Sequence, residues 1–107
     1  MIKAIFTRHK DGALLSAELT GHAGSGEYGF DIVCATVSTL AINFINSLEL
    51  LTKTQASIKV DQVEGGYMKV SIPHDNKENV QLLFESFLLG MTKLSEDSSE
   101  FVSTKVI

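Results

Sequence analysis

Cys34 is the single cysteine of the sequence, and one of the three histidines, His22, lies twelve residues before it. The thiolate is the reactive form of cysteine, and a protonated imidazole within hydrogen-bond reach favours that form. Glycines at several positions of the intervening segment leave its backbone able to adopt conformations closed to other residues. These glycines are Gly24, Gly26 and Gly29, and Gly21 stands directly before His22. This spacing makes His22 and Cys34 candidates for nucleophilic catalysis.

The residues just before Cys34 predict the start of a helix. Asp31 is the predicted N-cap of a helix with an apolar stripe, which places Cys34 at the third helical position. Backbone N–H groups there lack intrahelical acceptors, and their partial positive charge favours the thiolate. Asp31 acts in the opposite direction, because a nearby carboxylate raises the pKa of a thiol. The sequence leaves the sign of the sum open, and Asp31 could orient the imidazole or only cap the helix.

Two residues of this helix keep a structural alternative beside the functional one. Ser38 follows Cys34 by one helical turn and faces the same way, so it could contact the thiol or the substrate. It could equally be a small residue that allows close packing. Cys34 could be a buried small hydrophobe, as lone cysteines beside apolar residues commonly are.

Residues 24–29 also match the pattern Gly-x-Gly-x-x-Gly of dinucleotide-binding proteins. The preceding strand, however, belongs to a predicted hairpin, and the chain is too short for paired βαβ units. Glu27 and Asp31 would in addition repel a phosphate at the start of the helix. The pattern therefore gives little support to nucleotide binding.

The three histidines and the cysteine do not predict a metal site. His22 and Cys34 are too few ligands, and His9 and His74 lie in unrelated segments. We expect His9 to be a solvated side chain at the end of a strand, and His74 to be explained by local capping at the start of a helix. The expected set of metal ligands and of cofactors is therefore empty.

Length and composition predict one domain that spans residues 1–107. Hydrophobic residues make up 44% of the chain and charged residues 21%, which is ordinary globular composition. The formal charge of -4 disfavours nucleic-acid binding by bulk charge. The first residues show no signal-peptide pattern, and no stretch approaches about 18 uninterrupted apolar residues. We therefore expect a cytoplasmic protein with neither a nucleic-acid nor a membrane partner.

The hydrophobic patterns predict the element order ββαββαβ, a small α+β fold with a mixed or antiparallel sheet and both helices on one face. Strands are expected near residues 2–9, 13–20, 56–62, 68–72 and 100–106. The first helix carries its apolar stripe over residues 33–51 and the second over residues 80–94. Asp75 is the predicted N-cap of the second helix, in a capping box with Glu78. Gly90 is costly inside that helix, so we expect a packing reason for it.

The segment from Gly21 to about Leu40 resembles the signature of the bacterial ribosomal-processing cysteine proteases, the Prp family. The whole pattern of histidine, glycines, aspartate and cysteine is present in register. The matching residues are Gly21-His22-Ala23, Gly26, Gly29, Asp31-Ile32-Val33-Cys34-Ala35 and Ser38. Outside this segment the resemblance is carried by length and element order.

The resemblance implies a peptidase with Cys34 as the nucleophile and His22 as general base and then acid. Its implied substrate is the short N-terminal extension of large-subunit ribosomal protein number twenty-seven. It also implies a homodimer and a mobile glycine loop beside the nucleophile, with Gly21, Gly24, Gly26 and Gly29 as loop and hinge positions. Two alternatives remain: a non-catalytic ribosome-assembly module in which Cys34 is structural, and a thiol redox sensor.

Overall fold

The computed structural model describes residues 1–21, 29–61, 66–74 and 77–107 of the chain. Five strands and two helices follow one another in the predicted order ββαββαβ, which is thereby confirmed. The elements are β1 (Ile2–Arg8), β2 (Leu14–Thr20), α1 (Phe30–Thr52), β3 (Ser57–Val60), β4 (Tyr67–Ser71), α2 (Glu78–Asp97) and β5 (Val102–Val106).

The five strands form one mixed sheet in the order β3-β4-β2-β1-β5. β1 is central: it pairs antiparallel with β2 and parallel with β5. β2 and β4 pair antiparallel, as do β3 and β4. The predicted hairpin between β1 and β2 is present, and Gly12 takes a φ of 98° in its turn, which an L side chain rarely adopts.

Aromatic side chains connect α2 to the sheet and α1 to α2. Phe6 of β1 meets Phe87 of α2 edge to face, with ring centroids 5.2 Å apart. Phe44 of α1 stacks on the same Phe87 at 4.8 Å, which joins the two helices above the sheet. The predicted apolar stripes of the helices and the buried faces of the strands supply the rest of the core. Its fully buried large side chains are Ile2, Phe6, Leu14, Leu19, Val37, Leu48, Val70, Val80, Phe84, Met91 and Val102.

The start of α2 differs from the sequence prediction. The helix begins at Glu78 with Lys77 at the N-cap, whose side chain makes no capping hydrogen bond. Glu78 is therefore the first helical residue and not the third position of a capping box. Asp75, the predicted cap, lies outside the described residues. The carboxylate of Glu78 still sits in the first turn, where it complements the helix dipole.

α1 is long and apolar enough to cross a bilayer by length and composition alone, with a mean hydropathy of 1.4. This is weak support for a membrane span, because a helix in the core of a folded domain meets the same conditions. Val37, Ala41 and Leu48 of α1 have no exposed surface and belong to the core. The absence of a membrane partner therefore stays a prediction.

Gly90 of α2 lies opposite Leu40 of α1, and the packing explains it less than expected. A Cβ at this position would lie 3.5 Å from Leu40 Cδ2, which is ordinary van der Waals contact. Because no side chain has to move, we expect Gly90→Ala to raise the free energy of unfolding by about 0.5–1 kcal/mol through helix propensity. Urea denaturation measures this change. A midpoint at or below that of the wild type would show that the helix crossing needs the glycine.

Candidate active site

Cys34 lies in the second turn of α1, and its position differs from the prediction. The helix begins at Phe30, and Gly29 is the N-cap with a φ of 94°. The first helical hydrogen bond runs from the N–H of Val33 to the carbonyl of Gly29 at 3.1 Å. Cys34 is therefore the fifth helical residue and not the third, and Asp31 lies in the first turn and is not the N-cap. The expectation was wrong because the positive φ of a glycine starts the helix two residues earlier.

This shift changes which backbone groups face the site. The N–H groups that lack an intrahelical acceptor are those of Phe30, Asp31 and Ile32, one turn before the thiol. The N–H of Cys34 itself falls inside the helical hydrogen-bond pattern. The helix start therefore offers three donors to an anion near the thiol.

The described surroundings of Cys34 favour the protonated thiol. The residue is 3% exposed, and burial raises the pKa of its thiol. The carboxylate of Asp31 raises this pKa further, and the amino terminus at Met1 lowers it. The sequence left the sign of this sum open. In the environment that the described residues provide, the pKa of the Cys34 thiol lies above its ordinary value.

Three predicted site residues lie outside the described residues, namely His22, Gly24 and Gly26. The pairing of His22 with Cys34 therefore stays a prediction, as does the mobility of the glycine loop. The two glycines that border this segment, Gly21 and Gly29, are described.

Gly21 fixes the point at which the chain leaves β2. Its N–H donates to the carbonyl of Gly66 at 2.8 Å, and its φ is 83°. A Cβ on Gly21 would lie 2.4 Å from the carbonyl oxygen of Met1, closer than any real contact of that kind. The backbone at Gly21 thus approaches that of Met1 so closely that a residue with a side chain fits at position 21 only if the backbone shifts.

Gly29 lies near the same end of β1, because it adjoins the Phe101 ring and the backbone of Phe101 is hydrogen-bonded to Ile2. A Cβ on Gly29 would lie 3.7 Å from the Phe101 ring, and that ring packs on Phe30 with centroids 5.7 Å apart. The carbonyl of Phe101 accepts the N–H of Ile2 at 2.7 Å. Sequence reasoning assigned Phe101 to a strand and missed this role, because no local pattern shows which segments meet at the helix start.

Ser38 is half-buried on α1, one helical turn beyond Cys34. The two side chains lie on one face of the helix because residues four apart are neighbours there. A role of Ser38 toward the thiol or a substrate stays a prediction.

The structure brings together His9 and His74, which the sequence placed in unrelated segments, and Asp11 of the turn after β1 joins them. The rings of His9 and His74 stack with centroids 4.0 Å apart, and Asp11 contacts both rings. His9 is therefore not a freely solvated side chain, and the His74 ring binds Asp11 rather than a helix end. The expectation was wrong because β2 pairs with β4, which brings the turn after β1 beside the segment after β4.

Comparison with known proteins places the chain among the cysteine proteases, a class that agrees with its fold and its single cysteine. The family model described as Cysteine protease Prp matches residues 1–103. The chain belongs to this family.

The relatives are similar over nearly their whole lengths. The ribosomal processing cysteine protease Prp of Staphylococcus aureus is 30% identical over 100 residues, which cover 94% of this chain and 93% of that protein. The Prp of Bacillus subtilis is 29% identical, with full coverage of both chains.

Solved structures share the fold. The crystal structure of SMU.848 from Streptococcus mutans has a TM-score of 0.93 and 57% identity, and the match covers 100% of this chain and 94% of that one. The S. aureus Prp in complex with a substrate peptide has a TM-score of 0.92 and 27% identity, with full coverage of both chains. The mixed α+β fold predicted from the sequence is confirmed.

The close approach at Gly21 predicts a large effect of Gly21→Ala on stability. We expect the free energy of unfolding to fall by about 1–3 kcal/mol from the positive φ, with a further loss from the clash with Met1. Gly12→Ala is the matched control, because Gly12 also has a positive φ of 98° but nothing lies within 4 Å of its Cβ position. Chemical denaturation of both variants isolates the clash. Equal losses would show that Met1 simply moves aside.

The position of Asp31 predicts a change in the reactivity of Cys34. Because the Asp31 carboxylate raises the thiol pKa, Asp31→Asn lowers that pKa and increases the thiolate fraction at pH 7. We expect alkylation by iodoacetamide to accelerate on the order of three- to tenfold.

Glu49→Gln is the matched control for Asp31→Asn, since Glu49 is an exposed acid on the same helix several turns away. Its alkylation rate should equal that of the wild type. An unchanged rate in Asp31→Asn, measured as a function of pH, would contradict the electrostatic role of Asp31.

Proposed function

We propose that this chain is an endopeptidase that removes the N-terminal extension of large-subunit ribosomal protein number twenty-seven. Cys34 is the nucleophile, and His22 is the general base and then the acid. The observation that carries the assignment of the nucleophile is that a cysteine protease needs a thiol and this sequence has one cysteine. Relatives named ribosomal processing cysteine proteases support the substrate class.

Peptide-bound relatives support the covalent route. S. aureus Prp has been solved with a substrate peptide and with a covalently linked product peptide, at TM-scores of 0.92 and 0.88 to this chain. In the proposed reaction the sulfur of Cys34 attacks the scissile carbonyl and His22 protonates the leaving amine, which gives a thioester. Water then attacks the thioester with the imidazole of His22 as base, and the sulfur leaves.

The described ends of the glycine segment support the proposed pairing. Gly21 lies against the carbonyl of Met1, and Gly29 contacts Phe101, whose carbonyl binds the N–H of Ile2. Both ends are therefore attached beside the start of β1. His22 is bonded directly to Gly21, and the charge of the amino terminus at Met1 acts on Cys34. Gly21, to which His22 is bonded, and the thiol of Cys34 are thus both close to Met1.

The electrostatics of the site favour activation by a cation from the loop. Burial and Asp31 raise the pKa of Cys34, so a thiolate at neutral pH needs a positive partner, which the imidazolium of His22 supplies. The three N–H groups at the start of α1 are the natural oxyanion donors, and one such donor is typically worth about 3 kcal/mol of barrier. Asp31 and Ser38 are proposed as supporting residues.

The redox-sensor alternative loses support from the same observation. A redox-sensing cysteine is exposed and has a lowered pKa, whereas Cys34 is 3% exposed and its pKa is raised. The assembly-module alternative needs a structural Cys34, which agrees with its burial but leaves the protease family unexplained.

A homodimer in the cytoplasm, acting on the peptide without cofactor, nucleic acid or membrane, completes the proposal. The helices support a dimer by leaving large apolar side chains exposed, among them Ile42 and Leu50 of α1 and Leu82 and Leu89 of α2. A second copy of the chain would remove such surface from water. We expect the N-terminal arm of a ribosomal protein to be basic, and the formal charge of -4 agrees with such a substrate.

Cleavage of a peptide that copies the ribosomal extension tests the proposed function. We expect the wild type to cut it, and Cys34→Ala and His22→Ala each to lose activity by about a thousandfold or more, because the two residues act as one unit. Glu49→Gln should cut at the wild-type rate. Mass spectrometry of the reacting enzyme should show the acyl group on Cys34.

Each component of the proposal fails separately in this assay. Cleavage by folded Cys34→Ala would exclude Cys34 as the nucleophile. Full activity of His22→Ala would exclude the dyad of His22 and Cys34. A peptide with the same composition in scrambled order controls for the substrate. Equal cleavage of both peptides would leave the protease intact and contradict the ribosomal specificity.

A further inference from the structure

A second cluster of reactive side chains lies at the far end of β1 from Cys34. It consists of His9, directly after β1, Asp11 in the following turn, and His74 after β4. β1 is seven residues long, so roughly 20 Å of strand separates this cluster from the start of β1. The proposed protease reaction uses none of these three residues.

The donor atoms of the cluster already converge. His74 Nε2 lies 2.7 Å from one carboxylate oxygen of Asp11, and His9 Nδ1 lies 3.2 Å from the other. The three ligand atoms all lie within 4.8 Å of one another. Donors on a tetrahedral zinc ion with bonds of about 2.0–2.1 Å are about 3.3 Å apart. The donor spacing therefore matches such a shell, and because the two rings lie nearly parallel, one of these exposed rings must rotate for both nitrogens to bind one ion.

Each histidine nitrogen of the cluster already makes a polar contact that a metal ion replaces when it binds. His9 Nδ1 accepts the backbone N–H of Asp11 at 3.3 Å and lies 3.2 Å from a carboxylate oxygen of the same residue. His74 Nε2 lies 2.7 Å from the other carboxylate oxygen. A metal ion bound by these atoms exchanges these contacts for ligand bonds.

The surroundings hold Asp11 in place and leave the cluster open to water. The backbone N–H of Ala13 donates to a carboxylate oxygen of Asp11 at 2.9 Å. The side chains of His9, Asp11 and His74 are 33%, 38% and 42% exposed. Arg8, which precedes His9, forms an ion pair with Glu85, and its guanidinium donates to both carboxylate oxygens at 2.6 and 3.0 Å.

We propose that His9, Asp11 and His74 form a surface site for a divalent transition-metal ion, such as Zn²⁺, with water completing the shell. Two imidazoles and one carboxylate suit Zn²⁺, Cu²⁺ or Ni²⁺ and not Mg²⁺ or Ca²⁺, which require oxygen ligands. The ion joins the turn after β1 to the segment that leads into α2. Because the unfolded chain does not hold these ligands together, binding stabilises the fold.

Titration of the full chain with ZnCl₂ tests the site, with Cys34→Ala as the parent so that the thiol cannot bind zinc. We expect isothermal titration calorimetry to show one equivalent of Zn²⁺ per chain, and Tm to rise with Zn²⁺ and return with EDTA. His9→Gln, His74→Gln and Asp11→Asn in this parent should each weaken binding at least tenfold. MgCl₂ should produce neither heat nor a shift in Tm.

His22→Gln in the same parent is the matched control, because it removes the third histidine and leaves the cluster intact. Its zinc affinity should equal that of the parent. Absence of binding at 1 mM ZnCl₂ would overturn the proposal, as would equal affinity in His9→Gln and the parent, or loss of binding in His22→Gln. These outcomes are independent of peptide cleavage and so of the proposed protease function.

Discussion

The close approach of three backbone segments at the start of β1 is the constraint on which the thiol depends. Gly21 lies so near the carbonyl of Met1 that a Cβ would overlap it, and Gly29 starts α1 with a positive φ beside Phe101. The hydrogen bond from Ile2 to Phe101 fastens β1 to the segment before β5. The helix start therefore sits at a fixed place over the sheet, and the position of Cys34 follows from it.

The burial that holds the thiol of Cys34 in place also opposes its ionisation to the thiolate. Cys34 is packed as a core residue at 3% exposure, and desolvation penalises its charged form, so its pKa is raised. Asp31 adds to this effect from the first turn of the same helix. Structural and catalytic interpretations of the cysteine are therefore compatible: the thiol is packed as a core side chain, and the proposed dyad requires a cation to form the thiolate.

The sequence predicted what local patterns control and missed what distant pairing controls. The apolar spacing around Val37 and Phe84 gives both helices, and alternation gives the strands, because each pattern depends on near neighbours. The N-cap was misplaced because a glycine pattern does not reveal which glycine takes a positive φ. The stacking of His9 on His74 was missed because it requires the pairing of β2 with β4, across the whole of α1.

The two ends of the central strand are held by different kinds of contact. At the His9 end, Arg8 binds Glu85 with two charged contacts, and Gln81 binds both backbone groups of Leu14. Charged and bidentate bonds of this kind hold α2 in register on the sheet. At the Cys34 end, the described contacts that fasten the helix start are backbone hydrogen bonds and the aromatic pair of Phe30 and Phe101. α2 is also held to β5 nearer the Cys34 end, where the hydroxyl of Thr104 donates to the carbonyl of Met91 at 3.1 Å and shares a hydrogen bond with Ser95.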